Sequence, residues 1–320
     1  MLRYSSLAMF SSKNYNKLII FRKGCSLMIH KIAPHIYHPE FRSAQPVESD
    51  FVCIFNGNSI FLIKDEEKKL LLPTFASLEK KFGGNFSLKC FADQAEYLFS
   101  IDSTAFFRLD TLALSLTALP AEDFHSPMVF RTFQPEYLAF AGITACQINR
   151  FRLDRRFCGR CGHAMTPSTT ERAMICQTCG MIEYPKISPA IITAIVDGDR
   201  ILLTQYARAA STYRHWALVA GYVEVGETFK GAVRREVMEE VGLKVKDIIY
   251  YKSQPWSFSD SDMIGFFARL DGEDTITLQE SELATAQWFT RDTVPSLPSH
   301  ISIGQEMIEL FRQGKDPFSI

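Results

Sequence analysis

The segment GYVEVGETFKGAVRREVMEEVGL, Gly221 to Leu243, crowds glutamates where a helix would suffer for it. Read as a helix from Glu227 to Val241, it places Glu236, Glu239 and Glu240 at i, i+3 and i+4, on one face, where like charges repel. A hard divalent cation with oxygen ligands, Mg²⁺ or Mn²⁺, removes that conflict. A solvated acidic face is the plain alternative. Ala232, Val233 and Val237 give the same helix an apolar side for packing, and Gly242 is placed to end it.

A second group of side chains offers different chemistry. Cys158-x2-Cys161 and Cys176-x2-Cys179, fourteen residues apart, have the spacing of two knuckles closing one tetrahedral site. Four thiolates suit a structural Zn²⁺ and leave no position for a reacting water. His163 is a spare ligand that four sulfurs make unnecessary. Gly159, Gly162 and Gly180 supply permissive backbone for the knuckles. Arg150, Arg152, Arg155, Arg156 and Arg160 surround this ribbon, with Asp154 the one acid among them, so it offers either a phosphate grip or a solvated charged face.

These groups need a scaffold, and 320 residues suffice for two domains. A hydrophobic content of 47%, a charged content of 22% and a net charge of -1 describe a folded chain without global nucleic-acid or membrane bias. No apolar run reaches the roughly 20 residues of a membrane span. Thiol ligands imply a reducing compartment, hence the cytoplasm. Residues 1–27 are basic and serine-rich, with no acid before Glu40. They are either an over-extended start before Met28 or an organelle presequence, which would place the protein in mitochondria.

From 28 to 150 the text predicts an α+β domain. It has a hairpin at Asn56-Gly57, strands at EYLFSI and TAFFRL, and a helix over 135–151. The ribbon follows at 151–186. From 187 to 320 comes an α/β layered domain, with a strand pair turning at Asp197-Gly198, the glutamate helix, strands near 244–252 and 263–270, and a helix over 301–313.

Gly221, five residues, Glu227, seven residues, Arg235-Glu236-Val237, one residue, Glu239-Glu240, one residue, Gly242-Leu243 matches every fixed position of the Nudix box. The chain resembles a Nudix hydrolase, which implies an α/β/α sandwich and hydrolysis of a nucleoside diphosphate joined to another group. SQPWSFSDSDM, Ser253 to Met263, is similar to the array that follows the box in NADH pyrophosphatases, whose layout of N-terminal domain, four-cysteine ribbon and Nudix domain is also the one read here.

The resemblance implies the following roles. Glu236, Glu239, Glu240, the backbone of Ala220 and Glu282 form the shell for Mg²⁺ or Mn²⁺. Arg235 orients a catalytic glutamate, Glu227 braces loop and helix, and Glu239 or Glu240 positions the water or takes its proton. Tyr222, Tyr184, Gln254, Pro255, Trp256, Ser257, Phe258, Ser259, Asp260 and Ser261 contact substrate, with Gly304 and Arg131 as further contacts. The substrate is NADH or NAD⁺, cleaved to nicotinamide mononucleotide and AMP, with removal of NAD caps from RNA as a second activity and a homodimer as the assembly. The family writes proline at Ser257 and Ser259 and an apolar residue at Asp262, which loosens the loop and leaves ADP-ribose or another nucleotide sugar as a rival substrate. A zinc-ribbon nucleic-acid-binding regulator with a Nudix sensor domain is the rival from another class.

Overall fold

The computed structural model describes residues 28–111, 119–207, 215–296 and 301–319; the segment 1–27, read above as an over-extended start or a presequence, lies outside them. Among the described residues no helix is long and apolar enough to cross a membrane.

The first half is built on a six-stranded sheet. Its order is Tyr37–His38, Glu96–Ile101, Thr104–Asp110, Phe51–Asn56, Ser59–Phe61 and Phe124–His125. The expected hairpin closes at Gly57, whose φ of 56° puts Asn56 opposite Ser59. A helix at Phe75–Phe82, capped reciprocally by Thr74 and Ser77, buries Phe75 and Leu78 on one face of the sheet. The long helix Glu136–Asp154 covers the other, its Phe140, Ile143 and Cys146 packing with Phe55, Phe99 and Phe106.

That long helix runs past the predicted end at 151, so the boundary set at 150 falls inside it and Arg150 and Arg152 belong to the helix, not to the ribbon. The reason is a buried charge that apolar periodicity cannot register. Arg152 is 6% exposed. Its guanidinium donates to Glu96 from Nε at 2.7 Å and to the carbonyl of Ala173 at 2.9 Å. Paired in this way, the arginine replaces an apolar residue on the buried face.

The cysteine segment forms a three-stranded ribbon, Met165–Pro167, Met174–Cys176 and Ile182–Glu183. Beyond it lies a mixed sheet, whose elements we number β1 (Ser188–Asp197), β2 (Arg200–Tyr206), β3 (Val219–Tyr222), α1 (Phe229–Val241), β4 (Val245–Trp256), β5 (Ser261–Leu270), β6 (Leu283–Thr290) and α2 (Ile303–Arg312). The order is β4-β5-β1-β2-β6, with β3 pairing β1. β1 and β5 run parallel, and the other pairs are antiparallel. Because β1 is covered on both faces, its text is a continuous apolar run. On one face α1 buries Ala232, Val233, Val237 and Val241 against Ile191, Ile195 and Phe266. On the other α2 buries Met307, Ile308 and Phe311 with Phe267 and Met28. The result is the α/β/α sandwich that the resemblance implied.

Two predicted strands are longer than read. β4 extends to Trp256 and β5 starts at Ser261, so SQPWSFSD is the end of a hairpin and not a free loop. The segment 28–32 bridges both halves: Met28 sits in the sandwich while Ile29 and Ile32 sit in the first domain, and the Ile29 amide donates to the Ile301 carbonyl at 3.0 Å.

Gly142 on the long helix lets Phe130 pack directly against the helix backbone, since a Cβ there would lie 2.1 Å from Cε1 of Phe130. Gly142→Ala is expected to destabilise the protein by about 1–3 kcal/mol through overpacking, read as a lower midpoint in urea denaturation.

Candidate active site

Arg235, two turns into α1, is the cation around which the glutamates are arranged. Its fork takes both oxygens of Glu227, at 2.9 Å from Nε and 2.8 Å from Nη2. Nη1 reaches Glu236 at 2.7 Å and Glu239 at 3.0 Å, and Nη2 also donates to the carbonyl of Tyr222 at 2.9 Å. Bidentate geometry fixes position as well as charge. Glu227 precedes the helix, which begins after the cap Thr228 and ends at Gly242 in the left-handed region. Arg235 therefore ties the β3–α1 loop to the helix body. It also holds the Glu227 carboxyl below its ordinary range, and the glutamates hold its own charge more firmly.

The other carboxylates lie deeper. Glu236 and Glu240 are both buried, Glu240 to 2% exposure, on the side of α1 that faces the sheet. Burial raises both, Glu240 to about 8. After burial, the groups that act on Glu240 are all acidic: Glu236, Glu282 and Glu239. A buried carboxylate whose charged neighbours are acidic is relieved by a cation, and oxygen donors are the kind that hard divalent ions take. A side chain at Gly221 would displace the Glu236 carboxylate, because a Cβ would lie 2.0 Å from its Cδ. The glutamates do not close as tightly as the thiols. Among the described residues, the four cysteines are the one group of three or more potential ligands whose donor atoms all lie within 4.8 Å of one another.

In the ribbon the sulfurs of Cys158 and Cys179 are 3.6 Å apart and those of Cys161 and Cys176 are 3.5 Å apart. A tetrahedron of Zn–S bonds needs sulfurs about 3.8 Å apart. Each knuckle turns on a glycine of positive φ, Gly162 and Gly180, whose amides donate to Cys158 and Cys176. Gly159, read as equally necessary, has no such conformation.

Beside the carboxylates a cavity of about 770 Å³ opens between β3, the β4–β5 hairpin and the start of α2. Of the residues read as site residues, Ala220, Tyr222, Gln254, Trp256, Ser259, Glu282, Gly304 and Arg131 line it. Arg131 reaches in from the first domain, its guanidinium 5.3 Å from the ring centroid of Trp256 and 4.8 Å from that of Phe258. The Gln254 side chain is consumed in structure, donating to the Ile301 carbonyl at 2.9 Å and accepting from the Ile303 amide at 2.6 Å. Pro255 is exposed, Ser257 and Ser261 are buried in the turn, and Asp260 points to Arg150. Tyr184 is 56% exposed on the ribbon's exit and hydrogen-bonds Glu171, away from the cavity of this chain. Gly304 is glycine for packing, since a Cβ would meet Ile192 at 2.7 Å.

Trp216, Tyr206, Met263 and Ser302 also line the cavity and were not read from the sequence. A two-residue spacing carried back from the strand could have found the first: Trp216, Leu218, Ala220 and Tyr222 stand two apart and all line the cavity, as does Ala217. Of the five arginines assigned to the ribbon, Arg150 and Arg152 are bound in the helix and Arg155 lies 3.6 Å from Glu183, while Arg156 and Arg160 are exposed.

Comparison with known proteins follows the same division. The NUDIX domain family matches residues 186–311, and the NADH pyrophosphatase zinc ribbon domain matches residues 154–184. NAD-capped RNA hydrolase NudC of Haemophilus influenzae (strain PittEE) is 40% identical over 198 residues, 61% of this chain and 69% of its own length. The protein of the same description from Salmonella schwarzengrund (strain CVM19633) is 45% identical over 163 residues, covering 51% of this chain and 62% of its own length. A crystal structure of a NUDIX hydrolase from Nitrosomonas europaea matches 49% of this chain and 91% of its own at 22% identity and a TM-score of 0.43.

The raised Glu240 carboxyl sets a pH dependence. The folded state binds its proton more tightly than the unfolded state does, so its contribution to stability is complete below about 4.5 and is lost as pH rises through about 8. In urea titrations without added divalent ions, the midpoint is expected to fall across that window more steeply for the native protein than for Glu240→Gln.

Proposed function

The chain belongs to the NudC-type Nudix hydrolases, and from that premise we propose that it hydrolyses the diphosphate bond of NADH or NAD⁺ to nicotinamide mononucleotide and AMP, and removes NAD caps from RNA. The observation that carries the reading is the buried Glu240, next to Glu236, Glu239 and Glu282, beside a cavity lined with aromatic rings. Glu236, Glu239, Glu240, Glu282 and the carbonyl of Ala220 would hold Mg²⁺ or Mn²⁺. Such ions, when bound, withdraw charge from diphosphate oxygens and acidify water.

The remaining work falls to the chain's own side chains. Glu239 or Glu240 holds the attacking water and takes its proton. Arg235 keeps Glu236 and Glu239 in place through the contacts described above, with Glu227 as its anchor. Tyr222 and Trp256 offer rings to the nicotinamide half, and Arg131 adds positive charge at the cavity wall. The same linkage occurs when the adenosine carries an RNA chain, so one site serves both substrates. Zn²⁺ on the four cysteines is structural in this reading. A reducing, cytoplasmic setting belongs to it, since thiolates hold zinc only while unoxidised.

A homodimer is part of the proposal. Ile187, Phe229 and Tyr250 are exposed around a cleft next to the box, at 63%, 46% and 58%. Such a contiguous apolar surface is a feature of interfaces. Light scattering is expected to give twice the mass of one chain, and Tyr250→Glu to halve it.

The activity is tested by incubating the protein and Mn²⁺ with NADH, NAD⁺, ADP-ribose and NAD-capped RNA in parallel. Cleavage of the NAD compounds at the diphosphate is expected, with kcat lowered by about 10²–10⁴ in Glu240→Gln. Preferred cleavage of ADP-ribose would move the substrate assignment, and binding without any cleavage would favour a sensor.

A further inference from the structure

The turn that carries Trp256 into the cavity has little of its own to hold it. Ser257 and Ser259 leave two positions free in φ, and Asp260 sits in the left-handed region at 53°. Strand pairing closes it at Trp256 and Ser261, and the rings of Trp256 and Phe258 meet at 4.9 Å and pack against the first domain's core. Between those ends its polar bonds are few: the Ser259 amide to the Trp256 carbonyl at 3.2 Å, and the Ser259 and Ser261 hydroxyls to each other at 2.8 Å. A turn so constituted needs an external support.

The support comes from the first domain. Arg150, in the last two turns of the long helix, places Nε 3.1 Å and 3.2 Å from the two oxygens of Asp260. Its Nη2 lies 2.5 Å from one of them and also donates to the carbonyl of Ser257. One guanidinium thus spans both ends of the turn, with side chains only 18% and 25% exposed for the arginine and the aspartate. The Ser188 amide adds a bond to the Asp260 carbonyl at 2.8 Å. Ser257 and Asp260 do not line the cavity, whereas Trp256 and Ser259 do. The contacts with Arg150 are therefore on the back of the turn and the cavity is on its front.

We infer that Arg150 is a positioning residue for substrate binding: reaching from the first domain, it clamps the Trp256–Ser261 turn so that Trp256 and Ser259 face the cavity. A fork can hold a carboxylate and a carbonyl at once, which a lysine cannot reproduce. The consequence for substrate rests on the proposed function; the clamp itself does not.

Arg150→Gln, Asp260→Gly and the double variant test it with two readouts. Glycine keeps the left-handed backbone at position 260 while removing the carboxylate. In NADH hydrolysis, each single variant is expected to raise KM about tenfold with kcat within about twofold of native. The double variant is expected to be no worse than either single, because both remove one interaction. Arg150→Lys is expected to recover part of the KM. Acrylamide quenching of Trp256, taken as the difference between each protein and its Trp256→Phe derivative, is expected to rise in both single variants. Unchanged KM, additive losses, or a fall in kcat at constant KM overturns the role in binding, and unchanged quenching overturns the clamp. If the native protein cleaves no dinucleotide yet quenching rises, the proposed function fails and the clamp stands. Should Arg150→Gln not fold, Asp260→Gly carries both readouts alone.

Discussion

Carboxylates held side by side repel, and the C-terminal domain is organised around keeping several of them together. Arg235 answers part of that repulsion within the chain by joining Glu227, Glu236 and Glu239. Glu240 is left to burial and to acidic neighbours, which push its carboxyl up to about 8. The cost of that arrangement is borne by the packing beneath, where α1 buries a full apolar face against the sheet. A charge cluster of this kind is tolerable only on a rigid support, and the close approach of Gly221 to Glu236 shows how little clearance the support allows.

The rest of the site comes from joining two domains. The cavity takes its aromatic wall from β3 and the β4–β5 hairpin, its far edge from the start of α2, and one arginine from the first domain. Gln254 joins the hairpin to α2 by giving both ends of its amide to backbone. Arg131 and Arg150 touch the hairpin end from opposite sides. The first domain, whose own sequence discloses no chemistry, thus serves as part of the binding wall.

Much of this was legible beforehand because it rests on local signals. The box spacing, the cysteine pairs, the Asn56-Gly57 turn and the strand pair at Asp197-Gly198 each depend on residues near in sequence. Features that depend on distant partners were not legible. The long helix continues past 151 through Arg152 because that charge is met by Glu96 and the Ala173 carbonyl, which no periodicity reveals. Gln254 lines the cavity as read, but the use of both ends of its amide by Ile301 and Ile303, far off in the chain, has no sequence signal.

The parallel pairing of β1 with β5 sets Ser188 beside Ser261, with α1 and β4 lying between them in the chain. The ribbon, by contrast, closes between Cys158 and Cys179. The thiol cluster is therefore closed by residues only 21 apart in the chain, whereas the sandwich can pair its β1 only with a strand from beyond α1 and β4, so the two units differ sharply in how local their contacts are.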